Sequence, residues 1–142
     1  MMKYISLILV IAFMSCSQKN FRYVKKDYDN ETSIYQKVDL SDLLKNYEDY
    51  DGKYIQVSGF FIGNINESAM YSKEGSKEGI WISFKDELID DNGNTLLKNN
   101  TIYDLSDSDV TLKGKFDSKE KGNLGLYKGS LTEIIYFSNY PN

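Results

Sequence analysis

The chain has 142 residues, a formal net charge of -4 and no histidine. That length is enough for one domain. The charge gives no basic surface to displace counterions from phosphates, so no nucleic-acid partner is expected. The missing histidine removes the side chain most often used for acid–base chemistry and for zinc near neutral pH. Tyr 12, Phe 7 and Trp 1 make the chain aromatic-rich, which suits strands.

The chain opens MMKYISLILVIAFMSC. Lys3 supplies a short positive region and Tyr4 to Met14 is almost continuously apolar, a pattern of export signals that is too short to span a bilayer comfortably. Phe13-Met14-Ser15-Cys16 resembles the lipobox of bacterial lipoproteins, with Phe13 where that family prefers leucine. The resemblance implies cleavage before Cys16 and acylation of its thiol, giving a signal peptide over residues 1–15. It also implies a protein anchored in the bacterial cell envelope. Acyl chains contribute about 0.8 kcal/mol per buried methylene, so a triacylated cysteine would hold the membrane almost permanently. With a single cysteine in the chain, no internal disulfide is expected.

Residues 16–36 are polar and mixed in charge, without sustained periodicity. They read as a tether, with a competing reading in which Phe21, Tyr23 and Val24 add an edge strand. The domain is then expected over residues 37–142. In VDLSDLLKNYEDYDGK, Ser41 or Asp39 can cap a helix over residues 41–48. Leu40, Leu43, Leu44 and Tyr47 share one face of it, and Asp51-Gly52 ends it in a turn.

The strand that follows, IQVSGFF, breaks its own alternation with Gly59. VTLKGKF repeats the pattern with Gly114 in the matching place. Glycine inside a strand marks a bend, a bulge or a close backbone approach, and a small barrel needs such points where a strand curls to serve both halves. Between these strands, ESAMYS and GIWISFK read as a hairpin joined by KEGSKEG. The last strand is expected within GLYKGSLTEIIYFS. Residues 86–107 read as a hairpin turning at Asp-Asn-Gly-Asn or as a distorted helix.

Helix first, three strands, a longer connection, then two strands: this order is mainly β and looks like a five-stranded OB-like Greek-key barrel with one short N-terminal helix. YDGKYIQVSGFF, VTLKGKF and GLYKGSLTEI resemble small exported bacterial OB-like lipoproteins, a group largely without assigned activity. OB-folds commonly carry a helix between strands three and four, where this chain shows a turn signal.

Little in the letters points to catalysis. No nucleophile has a recognisable activator, and no glycine loop opens a helix to cradle phosphate. A calcium loop around Asp90-Asp91-Asn92-Gly93-Asn94 would need Leu88 and Asn99 as end ligands, which do not serve. Asp104, Asp107 and Asp109 are better read as a solvated loop than as a cation site. No metal or cofactor is therefore expected. Phe60, Tyr71, Trp81 and Tyr127 are the candidate ligand-face aromatics, with packing in the barrel as their competing role. The function expected is non-enzymatic: a lipid-anchored envelope module binding a saccharide or a protein. An immunity lipoprotein guarding against a secreted toxin, or an envelope assembly factor, are the alternatives.

Overall fold

The computed structural model describes residues 19–141. Cys16 and residues 1–15, where a signal peptide is expected, lie outside the described residues. The fold is mainly β and closes into a five-stranded barrel with two short helices. Its elements are β1 (Arg22–Lys25), β2 (Gln36–Val38), α1 (Leu40–Lys45), β3 (Tyr54–Asn64), β4 (Glu67–Tyr71), β5 (Gly79–Ile82), β6 (Leu88–Ile89), α2 (Thr101–Asp104), β7 (Ser108–Asp117) and β8 (Ser130–Ser138). The ring runs β3-β4-β5-β8-β7 and returns to β3. Within it only β5 and β8 pair in parallel. Numbered within the barrel alone, the order is one-two-three-five-four, the OB-like arrangement that the strand sequence predicts.

Alternation in the strands builds the interior. Ile55, Val57 and Phe61 of β3 are buried, as are Met70 of β4, Ile80 and Ile82 of β5, Leu112 and Phe116 of β7, and Leu131 and Phe137 of β8. Phe137 lies at the centre of an aromatic cluster, 5.2 Å from Phe61, 5.3 Å from Phe84 and 5.0 Å from Phe21 between ring centroids.

Gly59 marks the point where β3 changes partner on one edge. Gln36, Lys37 and Val38 of β2 pair with Ile55, Gln56 and Val57, and β4 takes over from Phe60 onward. Leu40, the first residue of α1, fills the gap. A Cβ on Gly59 would lie 2.7 Å from the Leu40 side chain and 2.6 Å from the Tyr71 carbonyl. The glycine is a close-approach point for a helix and a neighbouring strand together.

Gly114 plays the corresponding part on β7. There the register with β8 shifts, because Lys113 pairs with Tyr136 but Lys115 pairs with Thr132. Glu133 in this bulge takes φ 47. A Cβ on Gly114 would stand 2.6 Å from the Thr132 carbonyl. A bulge of this kind raises the local twist and helps a sheet curl shut.

The structure overturns one expectation and decides two points that were open in the sequence. The first concerns the tether over residues 16–36. The chain is already fastened at Phe21 and Tyr23, which are buried, and β1 pairs with β8 and β6. The edge-strand reading applies, because those two rings reach an apolar surface that the alternation of β8 leaves open. The second concerns the helix cap. Asp39, not Ser41, caps α1, accepting the Asp42 N–H at 3.2 Å. The third concerns residues 86–107, which hold both proposed structures. Asp90 and Asn94 close a turn beside β6, and α2 follows between the third and fourth barrel strands.

Candidate functional site

The outer face of the β4–β5 hairpin gathers most of the predicted aromatics. Because Met70 and Ile80 point inward, the intervening positions Glu67, Tyr71 and Trp81 point out. Tyr71 donates its phenolic hydrogen to Glu67 Oε1, and Tyr127 donates to the same oxygen at 3.3 Å. The Trp81 and Tyr127 rings are 5.2 Å apart and tilted by 59°. Tyr127 reaches this face from the loop before β8 rather than from a strand, which begins only at Ser130. Phe60 is the cross-strand partner of Tyr71. Burial, and then the hydrogen bond to Glu67, hold the Tyr71 phenol well above the usual tyrosine range. Burial also raises the Tyr127 phenol. Both phenols therefore remain neutral donors to one carboxylate across any physiological pH.

Beside this cluster lies an open cleft of about 790 Å³. Three connections form it. The β3–β4 turn supplies Asn64, Ile65 and Asn66; the β5–β7 connection supplies Leu97, Ile102 and Tyr103; the β7–β8 loop supplies Lys121, Gly122 and Asn123. Glu67 and Trp81 belong to both the aromatic cluster and the cleft wall. Of the four predicted rings, only Trp81 borders the cleft. Gly122 lies flat against it: at φ 69, a Cβ there would come within 2.7 Å of the indole. Asn123 Nδ2 donates to the Asn66 carbonyl at 3.2 Å and ties two of the three connections together.

The arrangement suits recognition of a polar ligand with a flat apolar face. Trp81 offers part of a ring, while Asn64, Asn66, Asn123 and Glu67 offer donors and acceptors around it. OB-folds bind oligosaccharides and oligonucleotides on this strand two–three face, between the corresponding loops. Trp81 and Tyr71 were accessible to sequence reasoning because strand alternation exposes them. Glu67 and the asparagines were not, since nothing in the letters NIN or GNLG says that two distant loops meet.

The acidic segments have local explanations. The Asp90 carboxylate accepts the backbone N–H groups of Asn92 and Asn94 at 2.9 and 2.8 Å, and the Asn94 side-chain amide at 3.1 Å, which makes a tight turn. Asp107 takes φ 61 and donates its N–H to the Phe61 carbonyl at 2.8 Å, starting β7. Among the described residues no three Cys, Asp or Glu side chains are grouped as a metal ion would require.

Comparison with protein families, with curated proteins and with solved structures returned no match to this chain.

Proposed function

We propose that this chain is a lipoprotein of the bacterial cell envelope, anchored through an acylated Cys16, whose OB-like barrel is a non-enzymatic saccharide-binding module. The anchor reading rests on the apolar run that stops at the only cysteine. The observation that carries the binding reading is the cluster in which Tyr71 and Tyr127 donate to Glu67 and Trp81 packs against Tyr127, with Glu67 and Trp81 on the wall of the cleft. A saccharide presents apolar C–H faces to an indole and hydroxyls to carboxylate and amide groups, and the cleft wall offers both. Bound acids and amides in such a site fix orientation, while the ring supplies contact area.

The chain contains one tryptophan, so its fluorescence reports on this cleft alone. Titration with short N-acetylglucosamine oligosaccharides is expected to shift Trp81 emission saturably, and Glu67→Gln to weaken the response by about tenfold, the value of a hydrogen bond to a charged group. Unchanged emission across oligosaccharides of differing composition would remove the saccharide assignment. The anchor has its own test. Cys16→Ala is expected to move the protein from the membrane fraction to the soluble fraction, and retention in the membrane after a carbonate wash would defeat the lipoprotein reading.

A further inference from the structure

Of the eight large apolar side chains left exposed among the described residues, five fall in one part of the protein, and Ile34, Tyr54 and Tyr140 lie outside it. Ile65 and Leu124 are each 83% exposed and Leu126 is 75% exposed, with Leu97 and Tyr103 nearly half exposed. All five belong to the three connections that form the cleft. Ile65, Leu97 and Tyr103 border it directly, and Leu124 follows Asn123, whose amide holds the Ile65 turn. Leu124 is also held at φ 58, ψ 13. A bulky residue in the left-handed region is an outlier, and strain of this kind persists where the surrounding structure imposes it, often for function. Here backbone strain and an exposed leucine coincide at one loop tip.

The amino-terminal segment leaves the domain at the same end. Asn139 Nδ2 donates to the Lys19 carbonyl at 3.1 Å, the Phe21 N–H donates to Asn139 Oδ1 at 2.7 Å, and Ser138 Oγ donates to the Phe21 carbonyl at 3.0 Å. The chain is thus fastened from Lys19 onward. Lys19 and Lys98 border one hollow, and Leu97, next to Lys98, borders the cleft. Cys16 is three residues before Lys19. At about 3.3–3.6 Å per extended residue, that leash reaches only about 11 Å.

We propose that this rim is a membrane-docking surface: the loop tips bearing Ile65, Leu97, Tyr103 and Leu124 insert into the headgroup region of the bilayer that holds the anchor. The inference rests on acylation of Cys16, because the short leash selects a lipid surface over other occupants. A leash of some twenty residues would let the barrel tumble free of the membrane, whereas one of about 11 Å leaves the end of the barrel around Lys19 next to the headgroups. An apolar rim at that end gains contact area by inserting. The ligand of the cleft is then met at the membrane surface.

The test uses the acylated full chain, purified from membranes and reconstituted into vesicles of phosphatidylcholine with a minority of phosphatidylglycerol. An environment-sensitive fluorophore is placed singly at Ile65→Cys, Leu124→Cys or Ile34→Cys. Ile34 is the control. It is 90% exposed, but it precedes β2, whose Gln36 pairs with Ile55 near the opposite end of β3 from Ile65. All three positions are on the surface, so the fold is retained. A spin-labelled phospholipid is expected to quench the labels at 65 and 124 at least ~3-fold more strongly than the label at 34, as insertion to interfacial depth requires. Equal quenching at all three positions, with the protein still sedimenting with vesicles, would overturn docking while leaving the anchor intact. Failure of the wild-type protein to sediment with vesicles would instead defeat the acylation reading, and docking with it. A rim built for a protein partner would show no quenching in these protein-free vesicles, which also overturns docking.

Discussion

On one side of the barrel, Tyr28 and Tyr136 stand 5.6 Å apart with two cations over them. Arg22 lies 5.4 and 5.6 Å from the two ring centres, Lys113 lies 5.4 and 5.2 Å from them, and the Lys113 ammonium donates to the Tyr28 hydroxyl at 2.8 Å. On the other side, Tyr71 and Tyr127 meet on one carboxylate with Trp81 against Tyr127, and no lysine or arginine among the described residues sits over these rings. The same residue types are put to two uses. Rings whose faces are occupied by the chain's own cations have little left for a ligand, and they fasten β1, β7 and β8 together. Rings gathered by their hydroxyls keep part of their faces free, beside a cleft.

The comparison is best challenged where the barrel itself closes. Gly59→Val and Gly114→Val place atoms within 3 Å of the Tyr71 and Thr132 carbonyls, which cannot move without breaking strand pairing. Each is expected to cost about 3 kcal/mol or more and to destroy both aromatic surfaces together, read as a collapse of the thermal transition. Phe21→Ala comes next. Phe21 is 8% exposed and packs on Phe137, so its loss should cost about 3 kcal/mol in denaturant unfolding; a free tether would show no change.

A smaller effect separates the two faces. Lys113→Met is expected to lower stability by about 0.5–1 kcal/mol while leaving Trp81 fluorescence titrations unaltered. Tyr127→Ala should do the reverse in emphasis, weakening saccharide binding by about tenfold through lost ring contact with Trp81. If both variants changed ligand binding equally, the division between a fastening face and a recognition face would fall.

The smallest effect is a pH dependence outside both faces. Asp51 accepts the Ser118 N–H at 2.9 Å, and this bond holds its carboxyl below the usual range. A depressed carboxylate adds stability that is present above its unfolded pKa and lost as pH falls through the lower folded value. Wild type should therefore exceed Asp51→Asn in stability at neutral pH. The gap should close as the pH falls below the ordinary carboxylate range, measured by denaturation midpoints across a pH series.

Much of the barrel was legible in the chain because strand alternation and glycine are local signals. Ile55, Val57, Leu112 and Phe116 announce a buried face every second residue, and Gly59 and Gly114 mark where that face must yield. The outward setting of Tyr71 and Trp81 follows from the same period. The capping choice between Ser41 and Asp39 was open because either side chain satisfies the first free N–H groups of α1, and geometry settled it on Asp39.

Tertiary structure alone decided the rest. Phe21 and Tyr23 sit in a segment without lasting periodicity, and a strand of four residues needs the waiting edge of β8 before it has any reason to form. Glu67 receives Tyr127 from sixty residues away, and Asn66 receives Asn123 across a similar distance. A sequence states which residues alternate along one strand, because that depends on neighbours in the chain. It does not state which loops meet when a sheet curls shut, because that depends on closure, twist and bulge acting over the whole barrel.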